Sequence, residues 1–326
     1  MLKKLRYGKL LSSRGRLTTW CNHIALVLVC AAAQLTPAHS AYAEAAYEIT
    51  ADEVYGHKAG MALTLDVIRP KHPNGAAVLF MMSGGWFSMW VPPEKLLSEE
   101  SKPFFQHFSQ LLDRGYTLFI VRHGSAPQFK VPDAVADVRR AVRYVRLNAD
   151  KFGIDPNRIG VCGGSAGGHL SLMLGTTADE GTQDAEDAVD RASSRVAAVV
   201  AYFPPVLIRE FLDLKDRFPA LDFDPKLADS VSPLLHVTSD DAPTLLVHGD
   251  KDDLVKLDQS ERILAAFREQ KVPSELLVIE GAGHGFPGDM GRRASDALVA
   301  WFDKHLATAA KSVNGAPSPK EPATAP

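Results

Sequence analysis

Two periodicities divide the chain. Apolar and polar residues alternate over residues 47–54 and again over 62–68, the pattern of half-buried strands, and their closeness predicts an initial antiparallel pair. Short apolar runs follow at 78–82, 116–121, 159–162, 196–202, 244–247 and 275–279. Runs of that length read as strands covered on both faces. Between them the period lengthens to that of helices, over 104–114 (closed by Gly115), 133–150, 165–175, 258–270 and 291–306. In the second of these, Val135, Val138, Ala141, Val142, Val145 and Leu147 fall on or near one face. Residues 152–158 form a turn. Strands alternating with helices predict an α/β fold with a mainly parallel central sheet and helices on both faces.

Some stretches stand outside this rhythm. Residues 83–103 form a loop rich in Gly, Trp and Pro. Residues 203–241 are irregular, so any cap over the sheet is expected to be small or absent. Residues 177–190 carry Asp179, Glu180, Asp184, Glu186, Asp187 and Asp190 and read as a solvated surface loop. Residues 307–326 are rich in Ala and Pro and read as a disordered tail. No repeat of 20 to 50 residues is visible. A single domain is therefore expected over residues 44–306.

Composition narrows the class. Of 326 residues, 46% are hydrophobic and 23% charged, which excludes wholesale disorder and collagen-like repeats. The formal charge of −3 hides an asymmetry: residues 1–43 hold Lys3, Lys4, Arg6, Lys9, Arg14 and Arg16 and no acidic residue, leaving 30 basic against 39 acidic residues from Glu44 onward. A body of that charge is a poor partner for nucleic acid. The basic start precedes an apolar run from Ile24 to Ala33, too short for a membrane span of about 20 residues. Together they read as a secretory signal, cleaved after Ala43 in Ala41-Tyr42-Ala43, with a secreted or periplasmic product and no stable membrane span. An uncleaved signal anchor is the alternative. A lipoprotein reading at Cys30 is disfavoured by the bulky Val29. Cys21 and Cys30 lie in the signal, so Cys162 stays alone and no intramolecular disulfide can form.

The chemistry is carried by Gly163-Gly164-Ser165-Ala166-Gly167, a G-x-S-x-G motif between a strand and a helix. A serine on so sharp a turn needs neighbours without side chains two positions away on either side, and it projects at the carboxyl edge of the sheet, where α/β folds hold ligands. An alcohol is a poor nucleophile until a base takes its proton, and a base effective near neutral pH is usually His. His284, in Gly281-Ala282-Gly283-His284-Gly285-Phe286 after the last strand, is the candidate. His57, His72 and His305 are expected at the surface, His169 in packing, and His123 in the pocket. The imidazole needs a carboxylate to fix its tautomer. His248-Gly249-Asp250-Lys251-Asp252-Asp253 offers three, of which Asp252 is chosen because Asp250 reads as a turn residue and Asp253 as solvent-facing. Donors for an oxyanion are expected from the amides of Ala166, Gly84 and Gly85. Trp86, Phe87 and Trp90 are expected to wall the substrate site. There is neither a Cys/His cluster of zinc spacing nor a dinucleotide fingerprint, so no metal or organic cofactor is expected.

These motifs together resemble the α/β-hydrolase superfamily. More narrowly, they resemble the esterase/lipase-like branch with bacterial feruloyl and acetyl esterases and hormone-sensitive-lipase-type carboxylesterases. The likeness also rests on Leu65-Asp66-Val67-Ile68-Arg69-Pro70, Asp137, and Phe152-Gly153-Ile154-Asp155-Pro156-Asn157-Arg158-Ile159, and spans residues 47–306. It implies Ser165 as nucleophile, His284 as general acid and base, and Asp252 as its orienting carboxylate. One departure stands out: where the family has His-Gly-Gly-Gly-Trp, this chain has Met82-Ser83-Gly84-Gly85-Trp86. The implied function is hydrolysis of carboxylic esters, either small molecules or acyl esters of carbohydrates. A peptidase resembling the prolyl oligopeptidase catalytic domain is the alternative within enzymes. A catalytically silent binding protein on the same fold is the alternative outside them. The oligomeric state is not readable from the sequence.

Overall fold

The computed structural model describes residues 46–306. The expected signal segment, residues 1–43, and the expected tail, residues 307–326, lie outside the described residues. Eight strands form one sheet: β1 Tyr47–Lys58, β2 Met61–Pro70, β3 Ala77–Met81, β4 Thr117–Val121, β5 Ile159–Gly164, β6 Ala198–Tyr202, β7 Thr244–Gly249 and β8 Ser274–Ile279. Their order is β1-β2-β4-β3-β5-β6-β7-β8. β1 pairs with β2, and β2 with β4, antiparallel; every later pair is parallel. The antiparallel start and the mainly parallel remainder follow the sequence pattern. β1 runs four residues past its expected end because two register irregularities, after Thr50 and after Val54, let it continue beside β2.

The helices are α1 Pro93–Leu96, α2 Lys102–Asp113, α3 Val131–Leu147, α4 Ala149–Phe152, α5 Ala166–Thr176, α6 Ala188–Arg191, α7 Asp258–Glu269 and α8 Asp289–Leu306. The expected helix 133–150 is two helices, because Asn148 leaves helical geometry and Gly153 closes the second in the left-handed region. Side chains alternate between the two sheet faces. Leu79 and Met81 of β3 join Phe119 and Val121 of β4 in a core completed by α3, α5 and α7. Val78 and Met82 join Leu118 and Ile120 in a second core completed by α2 and α8. Helices therefore cover both faces. Among the described residues, no helix is long and apolar enough to cross a membrane.

Residues 203–241 form a succession of short 3-10 turns, and Val206, Ile208, Ala220, Leu221 and Val231 continue the α3–α5–α7 core. The cap is thus small and shares that core. Residues 177–190 lie at the surface as expected, and arginines strap them onto α3, with α6 beginning at their end. One other expectation is corrected: His305 is half-buried, its ring packed on Trp301 with centroids 4.2 Å apart and its Nε2 buried.

Candidate active site

The parallel strands end at one edge, and the loops leaving β3, β5, β7 and β8 meet there. Ser165 follows β5 with φ +53° and ψ −118°, a strained turn from strand to helix. The glycines around it are sterically required. A Cβ on Gly163 would come within 2.6 Å of the Gly167 carbonyl carbon, and one on Gly167 within 2.5 Å of the Met81 carbonyl oxygen. The elbow is further pinned by the Ser165 amide, which donates to the Tyr202 carbonyl at 2.9 Å.

Ser165 Oγ lies 2.9 Å from His284 Nε2, and His284 Nδ1 lies 2.7 Å from Asp252 Oδ2. The structure brings these three expected residues into one hydrogen-bonded row, although 119 positions separate the first two. Asp252 is buried, and its other oxygen, Oδ1, accepts from the amides of Leu254 and Val255 at 2.9 and 3.0 Å. Burial by itself would raise its pKa. The nearby His248 and His284 imidazoles and the Val255 amide outweigh that and hold the carboxyl well below the usual carboxylate range. An ionised carboxylate can only accept, so His284 Nδ1 carries a proton and a neutral ring offers a bare Nε2 to the hydroxyl. Asp250 ties its loop to the one after β8, its Oδ1 accepting from the Gly281 amide at 2.6 Å, and Asp253 is exposed.

The remaining expected residues divide. Ala166 occupies the first turn of α5, where its amide has no intrahelical acceptor. Gly85 adopts φ +56°, and a Cβ there would meet the Phe218 ring at 2.7 Å. Among the described residues, nothing accepts from either amide. Gly84 is a correction. Its N–H donates to the Phe87 carbonyl at 3.0 Å, so it is engaged within its own loop. Trp86 is a second: it is only 4% exposed and donates its indole N–H to His169 Nδ1, so it supports the loop from below rather than walling a pocket. His123 is a third. Its Nδ1–H donates to the Gly124 carbonyl, leaving Nε2 to accept from Ser83 Oγ, both at 2.8 Å. Buried desolvation lowers its pKa, partly offset by the Gly124 carbonyl. His123 thus anchors the loop at the position where Ser83 departs from the family pattern. Phe87 and Trp90 remain exposed.

Sequence reasoning missed three neighbours. Phe203, at φ +37°, lays its ring against His284, with centroids 4.5 Å apart, and against Gly164. Phe218 covers Gly85 from the cap segment, with the Arg217 guanidinium 5.1 Å from its ring centroid. His248 is buried beside Asp252; its Nε2 donates to the Val255 carbonyl at 2.8 Å and lies 3.5 Å from Asp252 Oδ2. Only His248 left a sequence signal, as the first residue of the motif that contains Asp252.

Comparison with known proteins agrees with this architecture. Esterase LipC of Mycobacterium tuberculosis is 32% identical over 243 residues, covering 69% of this chain and 57% of LipC. The acetyl ester-xyloside bifunctional hydrolase of Caldicellulosiruptor lactoaceticus superposes with a TM-score of 0.64 at 26% identity, covering 76% of this chain and 90% of that one. The propionate-bound thermophilic esterase Est2 of Thermogutta terrifontis gives the same TM-score and identity, covering 80% and 94%. The chain spans between half and two thirds of the length of LipC and two other curated relatives that it matches. The model of the BD-FAE family matches residues 65–267, more than half of the sequence, and the chain belongs to that family.

Proposed function

We propose that the protein is a serine hydrolase of carboxylic esters. The observation that carries this reading is the row Ser165 Oγ–His284 Nε2 at 2.9 Å and His284 Nδ1–Asp252 Oδ2 at 2.7 Å. His284 takes the proton of Ser165 as Oγ attacks the ester carbonyl. The carbonyl oxygen becomes an oxyanion facing the free amides of Gly85 and Ala166. The intermediate collapses to an acyl-enzyme, and the leaving alkoxide departs as an alcohol with the proton from His284. Water then enters, gives a proton to His284 and attacks the acyl carbon; the second collapse releases the carboxylic acid and returns the proton to Ser165. Asp252 stabilises the imidazolium formed in each half.

Acyl esters of carbohydrates are the proposed substrate class, supported by the likeness to the xyloside-active acetyl ester hydrolase. Export is proposed as well, supported by the basic start, the apolar run 24–33 and Ala41-Tyr42-Ala43. An exported product whose first residue by mass is Glu44 is the expected outcome.

The purified protein is expected to hydrolyse a short-chain nitrophenyl ester, with Ser165→Ala removing at least about a thousandfold of the rate. A variant with wild-type turnover overturns the site. A panel of acetylated and feruloylated sugars tests the substrate class. Turnover of aminoacyl-proline amides without ester cleavage would favour a peptidase.

A further inference from the structure

One buried imidazole joins three segments of the site. His169 lies one turn into α5, with its own amide donating to the Ser165 carbonyl at 2.9 Å. Its Nδ1 is 3.3 Å from Trp86 Nε1, and its Nε2 is 2.7 Å from the Val231 carbonyl. An indole N–H only donates and a carbonyl only accepts, so Nδ1 is bare and Nε2 carries the proton. The Trp86 and His169 rings meet edge to face, with centroids 5.5 Å apart. Burial brings the pKa of His169 down to about 4, which keeps this neutral tautomer fixed at the pH of ester hydrolysis.

We propose that His169 is a positioning residue for the oxyanion hole, acting through Trp86 on the amide of Gly85. This inference rests on the serine-hydrolase reading. Its argument is geometric. Gly85 and Trp86 both have left-handed backbones, at φ +56° and +58°. For tryptophan that conformation is strained, so the loop keeps it only where other contacts enforce it. The Trp86 carbonyl is held by the Ala126 amide at 3.2 Å, and its indole is held by His169. His169 belongs to the helix whose first amide is that of Ala166. The two candidate oxyanion donors, one on the loop after β3 and one on α5, therefore share a common reference: a ring with one side on each. The Val231 carbonyl fixes the far side of that ring from the cap segment.

Donors that must meet a charge formed only in the transition state lose rate, not ground-state binding, when they shift by a fraction of an ångström. The test uses Trp86→Phe, His169→Phe, His169→Gln and the double variant Trp86→Phe/His169→Phe, assayed with a short-chain nitrophenyl ester. Each Phe variant is expected to lower kcat by about 10- to 100-fold with KM within about twofold of wild type. The double variant is expected to be no slower than the worse single one, because both break one linkage. His169→Gln is expected to recover most of kcat, since its amide oxygen can accept from Trp86 and its NH2 group can donate to Val231. Inhibition by a trifluoromethyl ketone, which forms the oxyanion, should weaken in step with kcat. An unchanged kcat with only a lower urea midpoint, losses that multiply in the double variant, or a Gln variant no better than Phe would each overturn the proposal. If His169→Phe does not fold, Trp86→Phe decides alone, and wild-type kcat in it overturns the proposal. Full activity in Ser165→Ala would instead remove the serine-hydrolase reading itself.

Discussion

Asp252 and Asp250 stand two positions apart in one loop, yet their hydrogen bonds give them different work. Asp252 is buried and divides its oxygens between His284 and two backbone amides, whereas Asp250 accepts from Gly281 at the loop's surface. In Asp252→Asn an NH2 group can face His284 Nδ1, which favours the tautomer with its proton on Nε2, pointing at Ser165. The expected loss in kcat is about a thousandfold to ten-thousandfold. Asp250→Asn keeps the acceptor oxygen, so a loss below about tenfold is expected for a group that only ties two loops together. Parallel measurement of kcat decides, and a larger loss at Asp250 would reverse the assignment. Ser165 was legible in sequence because the elbow motif is local: the close approach of Gly163 to Gly167 is written within five residues, although Gly167 is also required by the Met81 carbonyl of β3. The roles of Gly84, Trp86 and His123 were not. Trp86 and His123 depend on partners supplied by tertiary packing, His169 and Ser83, and Gly84 on a turn closed by the Phe87 carbonyl within its own loop, and no spacing rule encodes those contacts.

The acidic segment after α5 shows the same limit for an element. Its carboxylates suggested a solvated loop, and they do lie at the surface, but Asp179, Asp187 and Asp190 pair with arginines of α3. Arg143 pairs with Asp179, Arg140 reaches Asp187 and Asp190, and Arg139 donates to the Thr177 carbonyl. The α3 periodicity was visible, but which loop its arginines would hold was not. Burial opposes ionisation of Asp179, and Arg143 and the Gly181 amide outweigh it, lowering the pKa. The Val189 amide and Arg140 lower that of Asp187. Both groups therefore bind protons more weakly when folded than when unfolded. Their stabilisation is complete above the ordinary aspartate range near about 4 and is lost as the pH falls through the lower folded values. Hydrogen-exchange protection of residues 179–191 is expected to fall below about pH 4 before that of β5 and β6. Simultaneous loss in strap and sheet would show that the arginines do not hold it independently.

Across the whole molecule, stability and chemistry occupy different ends of the strands. Alternating strand faces build two cores, and the loops at the carboxyl edge carry the residues proposed for catalysis. This division made the architecture readable: buried strand runs and helix periods are repeated signals, while the cap, built of 3-10 turns, has no period to read. Phe302 tests the division. It is fully buried on α8, and its ring packs so closely on β5 that a Cβ at Gly160 would come within 2.6 Å of it. Gly160 lies near the start of β5, and Ser165 lies beyond its other end. Phe302→Ala should leave a cavity under the central strands and cost about 3–5 kcal/mol of stability. The expected readout is a lower urea midpoint with an unchanged slope. Turnover per folded molecule should stay at the wild-type level, because the Ser165 amide is tied to the Tyr202 carbonyl and Gly167 closes on the Met81 carbonyl, contacts made at the opposite end of β5 from Gly160. A variant that remains fully folded at the assay temperature yet loses kcat would mean that packing at the amino ends of the strands reaches the elbow, and the separation of the two ends would not hold.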